Sequence, residues 1–289
     1  MNEKILFFLT FLFIIFFSNI LHTEGEKIGI VADMRFDKKE GIYKKEFQQE
    51  VWEKILKENK NLKELKYTVE IVEDEKLSSL DELKKFAVVI IPGSKLILPE
   101  NSLDILKEFV KSGGCLIRDF IGPEYLDVNK NGLFDSEDIK SKDIVFNFWQ
   151  EIAGTSIAAK PTFNLIKKIR ATSYFPELTK NLPSEFVELD LPFKIPHSNY
   201  ITTYYTLSGS AKPLMEAIIF NIPTKNLTDE GRDIEGFFPV VVVNYVEKGV
   251  VISLGINVRA LYITPFPEIY SNLLYNILSL LICKPEMVR

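Results

Sequence analysis

The sequence predicts an α/β fold built on a doubly wound, mostly parallel sheet, with an irregular β-rich insertion in its second half. Residues 86–91 (FAVVII) are continuously apolar, as strands covered on both faces tend to be. Around that run, apolar strands alternate with amphipathic helical stretches from residue 27 to residue 120. The pair Gly113-Gly114 separates the last of these helices from the strand after it, as a strong breaker between two elements should.

Each element has its own signal. Residues 27–33 (KIGIVAD) form a short apolar run, expected as a buried strand. Phe47, Val51, Ile55 and Leu56 share one face of a helix over 47–56. Residues 67–72 alternate as a strand does, and Pro92-Gly93-Ser94 stops the FAVVII run. A helix over 102–110 places Leu103, Leu106, Phe109 and Val110 on one side, and residues 115–120 give the next strand. A further helix is expected over 144–153. From residue 161 to about 223 the pattern breaks into short strands and loops between prolines, expected as an insertion or an antiparallel extension. Regularity returns with 238–245 (FPVVVVNY), a Glu247-Lys248-Gly249 turn in which Gly249 is expected to take the permissive conformation, a strand at 250–254 and a final helix over 267–281.

The chain has 289 residues and a formal net charge of −5. An acidic balance without a basic, aromatic-interleaved stripe argues against a nucleic-acid partner. Residues 1–25 are laid out as a signal peptide: a short start with Lys4, an apolar run over 5–17, then a polar segment ending at Thr23-Glu24-Gly25. A retained N-terminal anchor is the alternative, and it is the one route to a membrane. Residues 26–289 are then one α/β domain, expected to be secreted or periplasmic. Cys115 falls in a strand and Cys283 near the end of the last helix, so both are expected as buried thiols, with a bridge between them left open.

The sharpest chemical signal is the run from Asp127 to Asp138, DVNKNGLFDSED. Asp127, Asn129 and Asn131 occupy positions 1, 3 and 5 of an EF-hand-like loop. Gly132 stands at the sharp turn of position 6, Leu133 offers its carbonyl at position 7, and Asp135 and Asp138 fall at 9 and 12. A structural calcium ion is the expected cofactor. The neutral asparagines and the short Asp138 point to weak affinity, about 10⁻⁴–10⁻³ M or somewhat tighter. A polar surface turn would use the same residue types.

Several segments together resemble the class I glutamine amidotransferase-like superfamily, in particular β-galactosidase trimerisation domains and trehalose-utilisation-like proteins. They are Ala87–Gly93, Leu106–Gly114, Val240–Asn244 and Lys248–Gly255, with Phe148–Gly154 similar to the helix after the central strand. The resemblance implies a flavodoxin-like sheet. In active members a nucleophilic Cys sits on the sharp turn after the strand that follows Gly-Gly. Here that turn is Asp119-Phe120-Ile121-Gly122, without Cys or Ser, and Asn257 stands at or near the place of the base His. His197, the other place to seek a base, reads as an ordinary loop residue.

Two function classes follow. One is a calcium-stabilised structural or binding module for carbohydrate or protein, lacking the Cys–His pair; its oligomeric state is not fixed by the sequence. The other is a hydrolase acting on carbohydrate through Asp33, Asp119 and Glu124, three acids expected at the carboxyl edge of the sheet. The N-terminal layout also makes a testable statement. Sequencing of the exported protein should give a first residue near Glu26, whereas an intact Met1 on a membrane-bound product would identify residues 1–25 as an anchor.

Overall fold

The computed structural model describes residues 26–37, 42–45, 47–120, 122–162, 168–188, 202–219, 236–255 and 268–283. The parallel half is assembled from β1 (Glu26–Val31), β4 (Tyr67–Val72), β5 (Val88–Ile91), β7 (Cys115–Asp119) and β15 (Gly249–Leu254). β1 lies between β4 and β5, and β7 lies between β5 and β15, all in parallel register. The helices that join them pack on both faces. On one face are α1 (Phe47–Glu58) and, from the far end of the chain, Glu268–Cys283. On the other are the single-turn helices α2 (Asp74–Leu77) and α3 (Leu80–Leu83), α4 (Ser102–Lys111) and α5 (Lys142–Ile152).

Alternation along each strand divides the core. Ile28, Ile30, Val88, Ile90, Cys115 and Ile117 join the cluster under α1 and the C-terminal helix. Val31, Val89, Ile91, Leu116 and Val251 join the cluster under α4 and α5. Successive side chains on a strand point to opposite faces, so a continuous apolar run is the cost of having helices on both. At about 25 cal/mol per Å² of apolar surface removed from water, this double burial is the main stabilising term.

In the second half of the chain the irregular insertion is corrected to the other form the sequence left open, an antiparallel extension of the sheet. β10 (Lys168–Ala171), β11 (Val187–Glu188), β13 (Lys212–Ile219) and β14 (Gly236–Val246) extend the same sheet, in the order β11-β10-β13-β14-β15-β7-β5-β1-β4. All the added pairings are antiparallel, so the nine-stranded sheet is mixed. Pro213, in the stretch that the sequence shows only as short Pro-bounded strands, sits beside a register shift. Pro213 and Pro239 lie in β13 and β14, and the pairing slips between Pro213 and Met215 and between Met215 and Glu216. Proline has no N–H for the ladder, so a strand tolerates it at such irregularities. β9 (Thr155–Thr162) and β12 (Thr202–Leu207) form a separate two-stranded pair, as do β2 (Met34–Asp37) with β3 (Ile42–Lys45). Among the described residues no helix is long and apolar enough to cross a membrane.

The β14–β15 hairpin forms where expected, but Gly249 serves another purpose. Glu247 takes the left-handed conformation of the turn, with φ 52°. Gly249 is required by close approach: a Cβ there would lie 1.9 Å from the Val110 carbonyl oxygen and 2.4 Å from that of Gly114. The hairpin is thus wedged directly against the end of the last helical α4 turn. Gly249→Ala should therefore lower stability by about 1–3 kcal/mol or more, measured by urea unfolding, although the turn itself would tolerate alanine.

Candidate functional site at the carboxyl edge of the sheet

The ends of β1, β5 and β7 meet where open α/β sheets take their ligands. Asp33 follows β1 and Asp119 ends β7, as the sequence predicted, and both are buried, at 4% and 0% exposure. Helix α1 supplies the groups that satisfy them. Trp52 donates its indole N–H to Asp119 Oδ2 at 2.9 Å, and the Gly93 backbone N–H approaches the same oxygen at 3.4 Å. Gln49 accepts from the Asp33 backbone N–H at 3.0 Å through Oε1. Ser94, in the Pro-Gly-Ser turn after β5, donates its hydroxyl to Asp33 Oδ2. A Cβ on Gly93 would lie 2.8 Å from Phe120 Cβ and 3.0 Å from both the Asp119 carbonyl oxygen and Gln48 Oε1. The absence of a side chain there lets the three segments close together.

The turn after β7 has the backbone of a nucleophile elbow without the nucleophile. Phe120 adopts φ 57° and Gly122 φ 65°. A left-handed non-glycine residue costs about 1–3 kcal/mol and persists only where its surroundings enforce it. Here the Phe120 N–H donates to the Leu254 carbonyl at 2.6 Å, and the Tyr205 hydroxyl donates to the Phe120 carbonyl at 2.8 Å. Phe120 itself is 4% exposed. Burial raises the Tyr205 phenol above its ordinary range, the neutral form being the one that can donate this bond. Tyr270, on the C-terminal helix, is also buried; desolvation first, then the charge of Asp119, holds its phenol well up.

Arg118 and Asp119, adjacent on β7, are directed to opposite faces of the sheet. The Arg118 guanidinium lies 4.5 Å from the centroid of the Trp149 ring, a cation–π contact inside the core. Desolvation lowers its pKa, opposed by the nearby Tyr205 and Glu124. Glu124 lies beyond the elbow, where its backbone N–H donates to the Leu96 carbonyl at 3.1 Å. The structure therefore brings Asp33 and Asp119 to one edge but engages each with internal donors, and Glu124 faces the Arg118 side. Cys115 lies at the opposite end of β7 from the elbow, buried, with its thiol pushed up by desolvation. Asn257 and His197 lie outside the described residues, as does the side chain of Cys283.

The 127–138 loop is entered from β8 (Tyr125–Asp127), paired in parallel with β6 (Ile97–Pro99), and left through a 3₁₀ turn at Asp138–Ser141. Its carboxylates are engaged by backbone N–H groups of the loop itself. Asp127 accepts from the backbone N–H groups of Asn131 and Gly132 at 3.0 and 2.8 Å, and Gly132 has φ 72°. Asp138, fully buried, closes the loop by accepting from Val128 N–H and Asp135 N–H at 3.0 and 2.9 Å. The side-chain amides of Asn129 and Asn131 both donate to Asp135 Oδ2, at 2.6 and 2.9 Å. The Glu137 N–H foremost, then the Asn129 amide, hold the Asp135 carboxyl below its ordinary range, with smaller help from Asn131 and the Asp138 N–H. The three carboxylates are not drawn into one cluster: among the described residues no group of three or more His, Cys, Asp or Glu side chains is arranged to hold a metal ion. Leu133 is partly exposed, as a residue lending only its carbonyl can be.

No protein-family profile matches the sequence, and no curated protein matches it. Solved structures do. A ThuA-like protein from Bacteroides uniformis ATCC 8492 superposes with TM-score 0.54 at 15% identity, over 92% of this chain and 95% of that one. The β-galactosidase from Rahnella sp. R3 superposes with TM-score 0.51 at 11% identity, over 89% of this chain but 31% of its own. The chain thus spans less than a third of the β-galactosidase. At such identities the likeness concerns the fold, and it fits the class I glutamine amidotransferase-like architecture that the sequence resembles.

Sequence reasoning placed Asp33 and Asp119 at this edge, grouped Glu124 with them although it lies on the Arg118 side, and missed the partners of the first two. Gln48, Gln49 and Trp52 read as the ordinary polar and apolar positions of an amphipathic helix; the one clue was a Trp beside paired glutamines at the helix start. Trp52→Phe keeps the ring and removes the donor, leaving the buried Asp119 carboxylate one hydrogen bond short. That substitution should cost about 1–3 kcal/mol in urea unfolding, with no change in the slope of the transition.

Proposed function

We propose that this protein is a secreted, calcium-stabilised module of the amidotransferase-like fold that binds or organises a carbohydrate or protein partner and carries out no acyl transfer. The observation that carries this reading is Phe120: the elbow keeps its inverted backbone, yet its tip is a buried phenylalanine. Acyl transfer needs an exposed nucleophile beside backbone donors and a base within hydrogen-bond reach. Cys115, buried at the other end of β7 with a raised thiol pKa, meets neither requirement. A fold by itself does not supply an activity. The carboxylate hydrolase reading gains no support at this edge, because Asp33 and Asp119 are occupied by Ser94 and by Trp52.

The calcium part of the proposal rests on the frame of the 127–138 loop. Asp127 and Asp138 already brace both ends of the turn through backbone N–H groups. Asn129, Asn131, Asp135 and the Leu133 carbonyl would complete an oxygen shell around a hard cation. The ion would neutralise the charge that Asn129 and Asn131 now solvate on Asp135, and would stiffen the connection from β8 into α5. The remaining proposals are export through residues 1–25 and the carbohydrate-or-protein nature of the partner. Neighbours named as a ThuA-like protein and a β-galactosidase support the second only as analogy of fold.

Two measurements test this reading. Calcium should raise the melting temperature and chelator lower it, with about 2.7 kcal/mol gained when calcium is a hundredfold above its dissociation constant. Magnesium should substitute poorly, and Asp127→Ala with Asp138→Ala should abolish the difference between calcium and chelator. Unchanged melting and no calorimetric binding at millimolar calcium would remove the ion from the proposal. Separately, the folded protein should show no glutaminase or esterase activity, and thiol reagents should label Cys115 only on unfolding; stoichiometric labelling of the native state with loss of an activity would overturn the non-catalytic reading.

A further inference from the structure

The antiparallel wing of the sheet carries a cleft that the carboxyl edge does not explain. It has a volume of about 620 Å³ and is lined by Arg170 and Glu216 together with Ser173, Tyr174 and Ser184. The cross-strand register of β10 and β13 sets Arg170 opposite Glu216, while Ile169 turns into the core and Ala171, Pro176 and Leu182 give the cleft an apolar wall. Arg170 gives both of its hydrogen bonds, from Nε at 3.2 Å and Nη2 at 3.0 Å, to the same oxygen, Glu216 Oε2. Among the described residues, Arg170 Nη1 and Glu216 Oε1 make no hydrogen bond, so the pair offers an open donor beside an open acceptor. The guanidinium is held flat by Phe186, 4.4 Å from its ring centroid, which fixes the direction of those groups.

The chemistry of this lining excludes most ligand classes. An anion would meet Glu216 as well as Arg170, and a cation the reverse, so a neutral ligand suits the pair. An apolar ligand would strand the guanidinium, the carboxylate and the exposed Ser173 and Ser184 hydroxyls. What matches alternating donors and acceptors is a ligand whose own groups both donate and accept, above all neighbouring hydroxyls. Tyr174, 58% exposed at the rim with the Lys212 ammonium 5.8 Å from its ring centroid on one side, offers its other aromatic face for the C–H side of a ring. Pockets of this size are commonly built as an apolar wall with a few convergent polar groups.

We infer that this cleft is a saccharide-binding site in which Arg170 and Glu216 take a pair of vicinal hydroxyls and Tyr174 stacks on the sugar ring. The inference rests on the binding-module reading but uses a different part of the molecule from the elbow and the 127–138 loop. The test is to pass the purified chain over a printed array of mono- to tetrasaccharides and nucleosides, then to titrate the best-retained saccharide by calorimetry. A saccharide should be retained, and its affinity should fall tenfold or more in Tyr174→Ala and in Glu216→Ala. Tyr174 is exposed, so its substitution should leave the melting temperature unchanged, which separates loss of the site from loss of the fold. Retention of no saccharide, retention of nucleosides instead, or affinity unmoved in Tyr174→Ala would overturn the inference. Any of those results would leave the inert elbow, tested through Cys115 and acyl-transfer assays, as it stands.

Discussion

A carboxylate with no exposure to water, Asp119, ends the central strand, and the carboxyl edge is organised around keeping it solvated by protein. Removing an ionised group from water is tolerable only where hydrogen bonds replace the lost hydration. The Trp52 indole and the Gly93 N–H do part of that work, and each imposes a condition. Trp52 can reach only if α1 packs on this face of the sheet with its indole directed to the end of β7. Gly93 can reach only if the β5 turn comes close enough to forbid a Cβ. Register between β5 and β7, the placement of α1 and the glycine after β5 are therefore facets of one constraint.

The elbow next to it follows from the same packing. Leu254 of β15 and Tyr205 of β12 hold the Phe120 peptide from either side, so the left-handed residue joins the parallel half of the sheet to the β9–β12 pair. In an enzyme, strain at such a turn presents a reactive atom. Here the same conformation buries a phenylalanine and spends its hydrogen bonds on architecture. Conformation and chemistry are thus separable: a turn can outlast the reaction it serves elsewhere, provided that its neighbours continue to enforce it.

The antiparallel wing is organised differently. Its outer strands β10 and β13 turn Ile169, Leu214 and Ala217 into the cluster under the C-terminal helix, while β14 is buried on both faces, Val242 packing with Tyr205 and Ala211. The other face of β10 and β13 is left to Arg170, Glu216, Phe186 and Phe237, with Phe237 59% exposed. A strand covered on one side needs only half of its residues to be apolar, which frees the remainder to form a polar and aromatic surface. The parallel half has no such freedom, because its strands are covered by helices on both sides.

The sequence by itself determined the parallel half of this protein. Continuous apolar runs at β1, β5 and β7, amphipathic helices between them and the Gly113-Gly114 break leave little choice of architecture, and they also fixed which acids reach the carboxyl edge. The residue types from Asp127 to Asp138 marked a polar turn, and only the structure shows it braced by its own carboxylates. The tertiary structure alone decided the rest. Pro213 masked a strand that survives because its neighbour accepts a slipped register. The role of Gly249 depends on a carbonyl of a helix over a hundred residues earlier in the chain. Trp52 becomes the partner of Asp119, and Arg170 that of Glu216, only once strands far apart in sequence are aligned. Local periodicity reports which face of an element is buried; it carries no information about which distant group will meet it there.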